Sequence, residues 1–234
     1  MSTRKQIAIV LSGGIGSRFS ERTPKQFIMM GDKPLLIHTL YKFSTSIDVD
    51  RIYVVAPKQY LEETKELIAK YHVKKVAYVL PGGPTREEST LHALDFIYKE
   101  GINFSSLIMV HDADRPNVTH KIIKDNFRMA YNTGTAVTAI NPADSIAYSR
   151  EGLILDAYLN RNLTYFIQTP QTFRFDILYS SIVSSFKKGT IYKMTDEASI
   201  VKANHYKIKI VEGDPNNFKI TTRVDAAIFI AGLK

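Results

Sequence analysis

The sequence predicts an α/β fold of three layers built on a mostly parallel central sheet. Short β-branched apolar runs alternate with helical patterns, beginning at QIAIVL (6–11). A glycine-rich loop leaves the first run directly, and the pattern changes to hairpin-like pieces from Thr135 onward. Alternation of this kind favours right-handed βαβ crossovers, and such sheets place ligands at the carboxyl ends of their strands.

Taken in order, 6–11 stops at Gly13 and Gly14, as a buried strand does, and 52–56, 75–80 and 107–110 repeat its character. Helical patterns occupy 34–43, 59–71, 87–99 and 120–132 between them. The loops at 12–26, 81–89 and 111–116 are therefore the ones to watch. Over 135–173 the pieces TAVTAI, DSIAYS, LILDAYL and YFIQTPQTF are parted by Asn141-Pro142 and Glu151-Gly152, which predicts hairpins. Helices at 175–186 and 196–204, a strand KIKIVEG (207–213) and a helix from Val224 complete the pattern.

The chain has 234 residues, 44% hydrophobic and 23% charged, ordinary values for one folded domain spanning 1–234. It has no cysteine, which removes disulfides, thiolate zinc sites and a cysteine nucleophile. Its N-terminus carries no cleavage-site pattern and no run approaches ~20 apolar residues, so a cytoplasmic location is expected, with no membrane partner. A net charge of +8 attracts anions. Lys and Arg are interspersed with Asp and Glu and form no basic arm, which favours small phosphorylated ligands over nucleic acid.

The strongest local signal is LSGGIGSRFSERTPKQF (11–27). Here Leu11, Ser12, Gly13, Gly14 and Gly16 let main-chain N–H groups approach phosphate oxygens, while Arg18 and Lys25 supply fixed positive charge. A dinucleotide-binding turn would need a glycine near Phe19 or Ser20 and then a helix, but Thr23-Pro24 interrupts the segment; no G-x-x-x-x-G-K-[ST] P-loop occurs.

With GDKPLLIHTL (31–40), GGPTREES (82–89), VHDADRP (110–116), ADSI (143–146), RNLTYFIQTPQTF (161–173), TDEAS (195–199) and NNFKITT (216–222), the chain resembles the cytidylyltransferases that act on methylerythritol phosphate and ribitol 5-phosphate. The resemblance implies a Rossmann-like nucleotidyltransferase fold with a protruding β-arm at about 138–166. It implies CTP and a small phosphorylated polyol as substrates, Mg²⁺ as cofactor, and a homodimer that exchanges arms. By the same resemblance Arg18 and Lys25 bind the triphosphate, Lys25 lies nearest the α-phosphate, and Lys219 faces it from the other side. Gly82, Gly83, Arg86 and Ser89 fall in the cytosine and ribose segment. Asp112 faces the metal or the acceptor hydroxyls, and Arg161, Thr169 and Lys219 hold the acceptor phosphate, with Arg161 and Thr169 on the arm that crosses to the partner.

Plainer roles compete at several positions. Ser89 also suits a helix start, and Arg161 an exposed hairpin cation. His111 fits a loop-holding role better than that of a base, since the nucleophile is already an ionised phosphate. Asp114 has three readings, a metal contact, an influence on acceptor choice, or pairing with Arg115, of which pairing is preferred. Thr195-Asp196 and the threonines of 221–225 read as helix caps. For the acceptor, Ala147 after Asp144-Ser145-Ile146, the LSGG opening and ADRP lean towards ribitol phosphate, whereas RNLTYFIQTPQTF and TDEAS lie closer to the methylerythritol group. Two rival functions stay open: an inactive nucleotide-binding module, which would bind CTP without releasing pyrophosphate, and a basic nucleic-acid binder, whose affinity would fall steeply with salt.

Overall fold

The computed structural model of the protein describes residues 3–13 and 24–233. In chain order the strands are β1 (Gln6–Leu11), β2 (Met29–Met30), β3 (Lys33–Pro34), β4 (Arg51–Ala56), β5 (Val76–Pro81), β6 (Leu107–Asp112), β7 (Thr135–Ile140), β8 (Ile146–Tyr148), β9 (Ala157–Leu159), β10 (Phe166–Arg174) and β11 (Ile210–Glu212). The helices are α1 (Leu35–Thr45), α2 (Leu61–Lys70), α3 (Arg86–Lys99), α4 (His120–Thr133), α5 (Phe175–Lys187), α6 (Glu197–Ala203) and α7 (Arg223–Ala231). The main sheet has seven strands in the order β11-β7-β10-β6-β1-β4-β5, and only β10 runs antiparallel to its neighbours.

The apolar run of β1 is continuous because both faces of that strand are covered. Ile7, Ile9 and Leu11 point into a layer with α3, α5 and α6, through Leu94, Ile97, Phe175, Ile182 and Val201. Ala8 and Val10 point the other way, onto Leu36, Leu40 and Phe43 of α1 and Ile123 and Phe127 of α4. The two-residue period of a strand thus divides one sequence run between two cores. A smaller cluster of Met30, Leu35, Ile220, Ala226 and Phe229 packs α7 against β2 and the start of α1, and the segment before α7 comes back beside Lys25.

Side-chain caps fix several helix starts. Thr85 begins α3, Asp196 α6 and Thr222 α7, each in a reciprocal capping box, and Thr119 caps α4. The capping roles expected of TDEAS and of 221–225 therefore fall to Asp196 and Thr222. Gly134 ends α4 at φ +85°, a left-handed conformation that favours glycine.

Several boundaries differ from the sequence expectation, each for a local reason. β6 continues through His111 and Asp112, expected in a loop, because β1 pairs with it as far as Leu11 and Asp112. The first residues of 59–71 form a short 3-10 turn, Lys58–Tyr60, before α2. LILD (153–156) is not a strand: Leu153, Ile154 and Leu155 are exposed, and only β9 pairs with β8. The excursion between β7 and β10 thus carries its own two-stranded sheet, apart from the main one. YFIQTPQTF instead enters the main sheet as β10, with a register break between Ile167 and Gln171 that spans a cis Thr169-Pro170 bond. No helix among the described residues is long and apolar enough to cross a membrane.

Candidate active site

The carboxyl ends of β1, β5 and β6 open onto a cavity of about 340 Å³ lined by Leu11, Gly13, Gly82, Gly83, Arg86 and Asp112, among others. A second cavity of about 280 Å³ lies against Arg115, Gln168, Thr169, Gln171 and Asp196. Arg86, Asp112 and Lys219 line both, so one trio of charged side chains forms the wall between two spaces.

Asp112 is the centre of that wall. Its Oδ1 accepts from Arg86 Nη2 at 3.2 Å and Nε at 3.3 Å, and its Oδ2 accepts from Lys219 Nζ at 2.9 Å. Burial alone would push this carboxyl up, but the charges of Arg86, Lys219 and Arg115 outweigh burial and hold it well below the usual carboxylate range. Both oxygens already face cations, an arrangement that does not fit direct ligation of a divalent ion by Asp112. No group of three or more His, Cys, Asp or Glu among the described residues is placed to hold one.

Arg86 is held from behind. Its Nη1 lies 2.7 Å from both oxygens of Glu197, which is fully enclosed and also accepts from Thr90 Oγ1 at 2.8 Å. Burial disfavours the guanidinium charge, but Glu197 and Asp112 together raise its pKa above the ordinary value. Breaking such a pair by removing one partner costs about 3–5 kcal/mol, chiefly because a buried charge is left uncompensated, so Glu197 is needed to keep the guanidinium charged and in place. Glu197 was hidden in the sequence because its motif also reads as a helix cap; the signal available was a charged residue followed at once by the apolar run of α6.

His111 and Thr169 form a relay beneath Asp112. The Asp112 N–H donates to Thr169 Oγ1 at 3.1 Å, the Thr169 hydroxyl lies 3.2 Å from His111 Nδ1, and His111 Nε2 lies 3.0 Å from the Arg115 carbonyl. The carbonyl can only accept, which puts the imidazole proton on Nε2 and makes Nδ1 the acceptor for Thr169. Burial pushes His111 down to about 4, so it is neutral near pH 7 and holds the chain as a hydrogen-bonded strut. Thr169 consequently lies in the main sheet, buried, rather than on the arm with Arg161; its hydroxyl proton is committed to His111, although the residue still lines the smaller cavity.

The remaining sequence candidates separate clearly. Lys25 is buried in a 3-10 turn, Lys25–Phe27, with Nζ 2.5 Å from Asp114 Oδ2 and 2.6 Å from the Ile220 carbonyl. This corrects the expected partner of Asp114: the acid pairs with Lys25, while Arg115 donates to the Asn217 carbonyl at 2.8 Å. Ser12 is buried beside Lys25. Ser89 lines the larger cavity, but its hydroxyl accepts from the Gly83 N–H at 3.0 Å and donates to the Thr85 carbonyl at 2.8 Å, so it shapes the loop. A Cβ on Gly83 would meet Glu88 Cβ at 2.5 Å, which explains why the loop before α3 uses glycine there. Arg161 is exposed on the excursion, donates to the Ala143 carbonyl at 3.3 Å, and lines neither cavity. Gly14, Gly16 and Arg18 lie outside the described residues.

Residues 6–233 match the family model described as 2-C-methyl-D-erythritol 4-phosphate cytidylyltransferase. The chain belongs to this family. It is a nucleotidyltransferase that transfers a cytidylyl group, and its substrates are CTP and a phosphorylated sugar alcohol. Among curated proteins of the same name, that of Thermosipho melanesiensis is 36% identical over 230 residues, covering 97% of this chain and 96% of its own. That of Thermosipho africanus is 37% identical over 220 residues, covering 94% of each. A crystal structure of 4-diphosphocytidyl-2C-methyl-D-erythritol synthase superposes with a TM-score of 0.82 at 26% identity, over 99% of this chain and 100% of that one. The cytidylyltransferase of Francisella tularensis gives 0.81 at 26% identity, covering 96% and 97%.

Proposed function

We propose that this cytidylyltransferase joins CMP from CTP to 2-C-methyl-D-erythritol 4-phosphate and releases pyrophosphate, as a step of isoprenoid synthesis. The observation that carries the reading is the shared wall: two adjacent cavities, one under the glycine loops and one beside Thr169 and Arg115, meet at Asp112, Arg86 and Lys219. CTP fills the first and the acceptor the second, which sets an acceptor phosphate oxygen against the α-phosphorus. The new P–O bond forms as the bond to the β-phosphate breaks, and pyrophosphate leaves with the electron pair. Such a displacement depends on positioning and on charge neutralisation, which Lys25 and Lys219 supply from two sides. Asp112 is turned away from chemistry by its salt bridges; it orients Lys219 and offers its remaining lone pairs to the acceptor hydroxyls. Mg²⁺, bound together with CTP, would offset the charge of the triphosphate and would need few protein ligands.

The acceptor assignment moves from the ribitol phosphate suggested by the segment around Ala147 to methylerythritol phosphate, because the family model and both Thermosipho relatives bear that substrate's name. Arg161 reaches the acceptor phosphate from a second copy of the chain. The excursion that carries it exposes Leu153, Ile154, Leu155, Tyr158 and Leu163, an apolar surface that a partner would cover. Pyrophosphate release should be measured with CTP, Mg²⁺ and one acceptor at a time. Methylerythritol 4-phosphate should exceed ribitol 5-phosphate and glycerol 3-phosphate by at least ~100-fold in kcat/KM; a preference for ribitol 5-phosphate would overturn the assignment.

A further inference from the structure

Asp114 stands where β6, the turn carrying Lys25 and the segment before α7 meet. Its Oδ2 is 2.5 Å from Lys25 Nζ and its Oδ1 is 3.8 Å from Lys219 Nζ. Its backbone carbonyl accepts from the Ile220 N–H at 2.9 Å, while Lys25 Nζ donates to the Ile220 carbonyl at 2.6 Å. Three segments remote in sequence thereby close around one ammonium. Asp114 Oδ1 is itself buried with no hydrogen-bond partner, so the carboxylate is oriented by Lys25 rather than by a shell of donors.

An acid at this place works against ground-state binding, since Asp114 lines the same cavity that takes the triphosphate. What it supplies is order. A lysine side chain has a flexible four-carbon stem and three donors. Asp114 and Ile220 engage two of the donors, which leaves the third direction for a phosphate oxygen and removes the rotamer freedom that would otherwise be lost during reaction. A cation already in place favours the transition state over the ground state.

We propose that Asp114 is a positioning residue for cytidylyl transfer, fixing the Lys25 ammonium at the phosphate site through their ion pair. The inference rests on the reading of Lys25 as the cation beside the α-phosphate. Its signature is a split between kinetic constants: D114N should lower kcat by about 10- to 100-fold while KM for CTP stays level or falls, because a misplaced cation slows the reaction and a lost negative charge eases CTP entry. D114E, which keeps the charge, should recover kcat to within about threefold of wild type.

The experiment measures kcat, KM for CTP, the half-saturating Mg²⁺ concentration and the thermal midpoint for wild type, D114N, D114E and K25A, using full-length protein. The proposal is overturned if D114N keeps kcat within twofold of wild type, fails to fold, or raises KM for CTP as much as it lowers kcat. A shifted Mg²⁺ requirement with normal kcat at high metal also overturns it, because Asp114 would then act on the ion. Near-normal turnover in K25A would remove the underlying role of Lys25; a slow K25A beside an unimpaired D114N would remove only the positioning role of Asp114.

Discussion

His111 is enclosed between the Phe43 ring, 4.9 Å away, and the Thr169 hydroxyl, and it must become charged when the chain unfolds below pH 6.5. Its folded pKa of about 4 lies below the ordinary 6.5, so the unfolded chain binds the extra proton between those values. Its contribution to stability is complete above pH 6.5 and is lost as pH falls to 4, a difference on the order of 3 kcal/mol. Urea unfolding at several pH values should show this slope in wild type, and H111Q should flatten it; an unchanged slope in H111Q would assign the acid sensitivity elsewhere. The sequence made the loop-holding role of His111 legible because an ionised phosphate nucleophile needs no base. It could not reveal that Asp114 pairs with Lys25, since the two are far apart in the chain and Arg115 is adjacent. Glu197 was obscured in the same way: its partner Arg86 belongs to another helix.

At the scale of elements, the alternation of apolar runs and helical patterns was legible because β1, β4 and β6 are covered on both faces and their residues leave little choice. The limits of the arm were not, because an apolar run such as LILD looks the same whether it pairs in a sheet or waits for another surface. If a second copy covers that surface and Arg161 completes the neighbour's acceptor site, two crippled chains should rescue each other. R161A and K219A, each inactive alone, should regain about a quarter of wild-type activity when mixed and allowed to exchange, since one combination of subunits then carries one intact site. No gain on mixing, with exchange verified by mass, would return Arg161 to the role of an exposed hairpin cation.

Over the whole molecule, the chain order of the sheet explains why the site was only partly legible. β6 and β1 lie side by side at its centre, flanked by β10 and β4, so the loops of distant segments converge where a nucleotide would lie. Individual motifs named the participants: Arg86 from GGPTREES, Asp112 from VHDADRP and Lys219 from NNFKITT. Their convergence into one wall shared by two cavities depends on α7 packing back against β2 and the start of α1, which no local pattern encodes. The net charge of +8 suits anionic substrates, but the four cations at the site, Lys25, Arg86, Arg115 and Lys219, are interleaved with Asp112, Asp114 and Glu197. Specific placement, more than bulk charge, therefore selects the phosphates. The most direct test of the shared wall is turnover of K219A with CTP and methylerythritol 4-phosphate, measured beside CTP affinity. We expect kcat to fall by roughly 10²- to 10³-fold with CTP affinity within a few-fold of wild type; near-normal turnover would contradict transfer between the two cavities at Lys219.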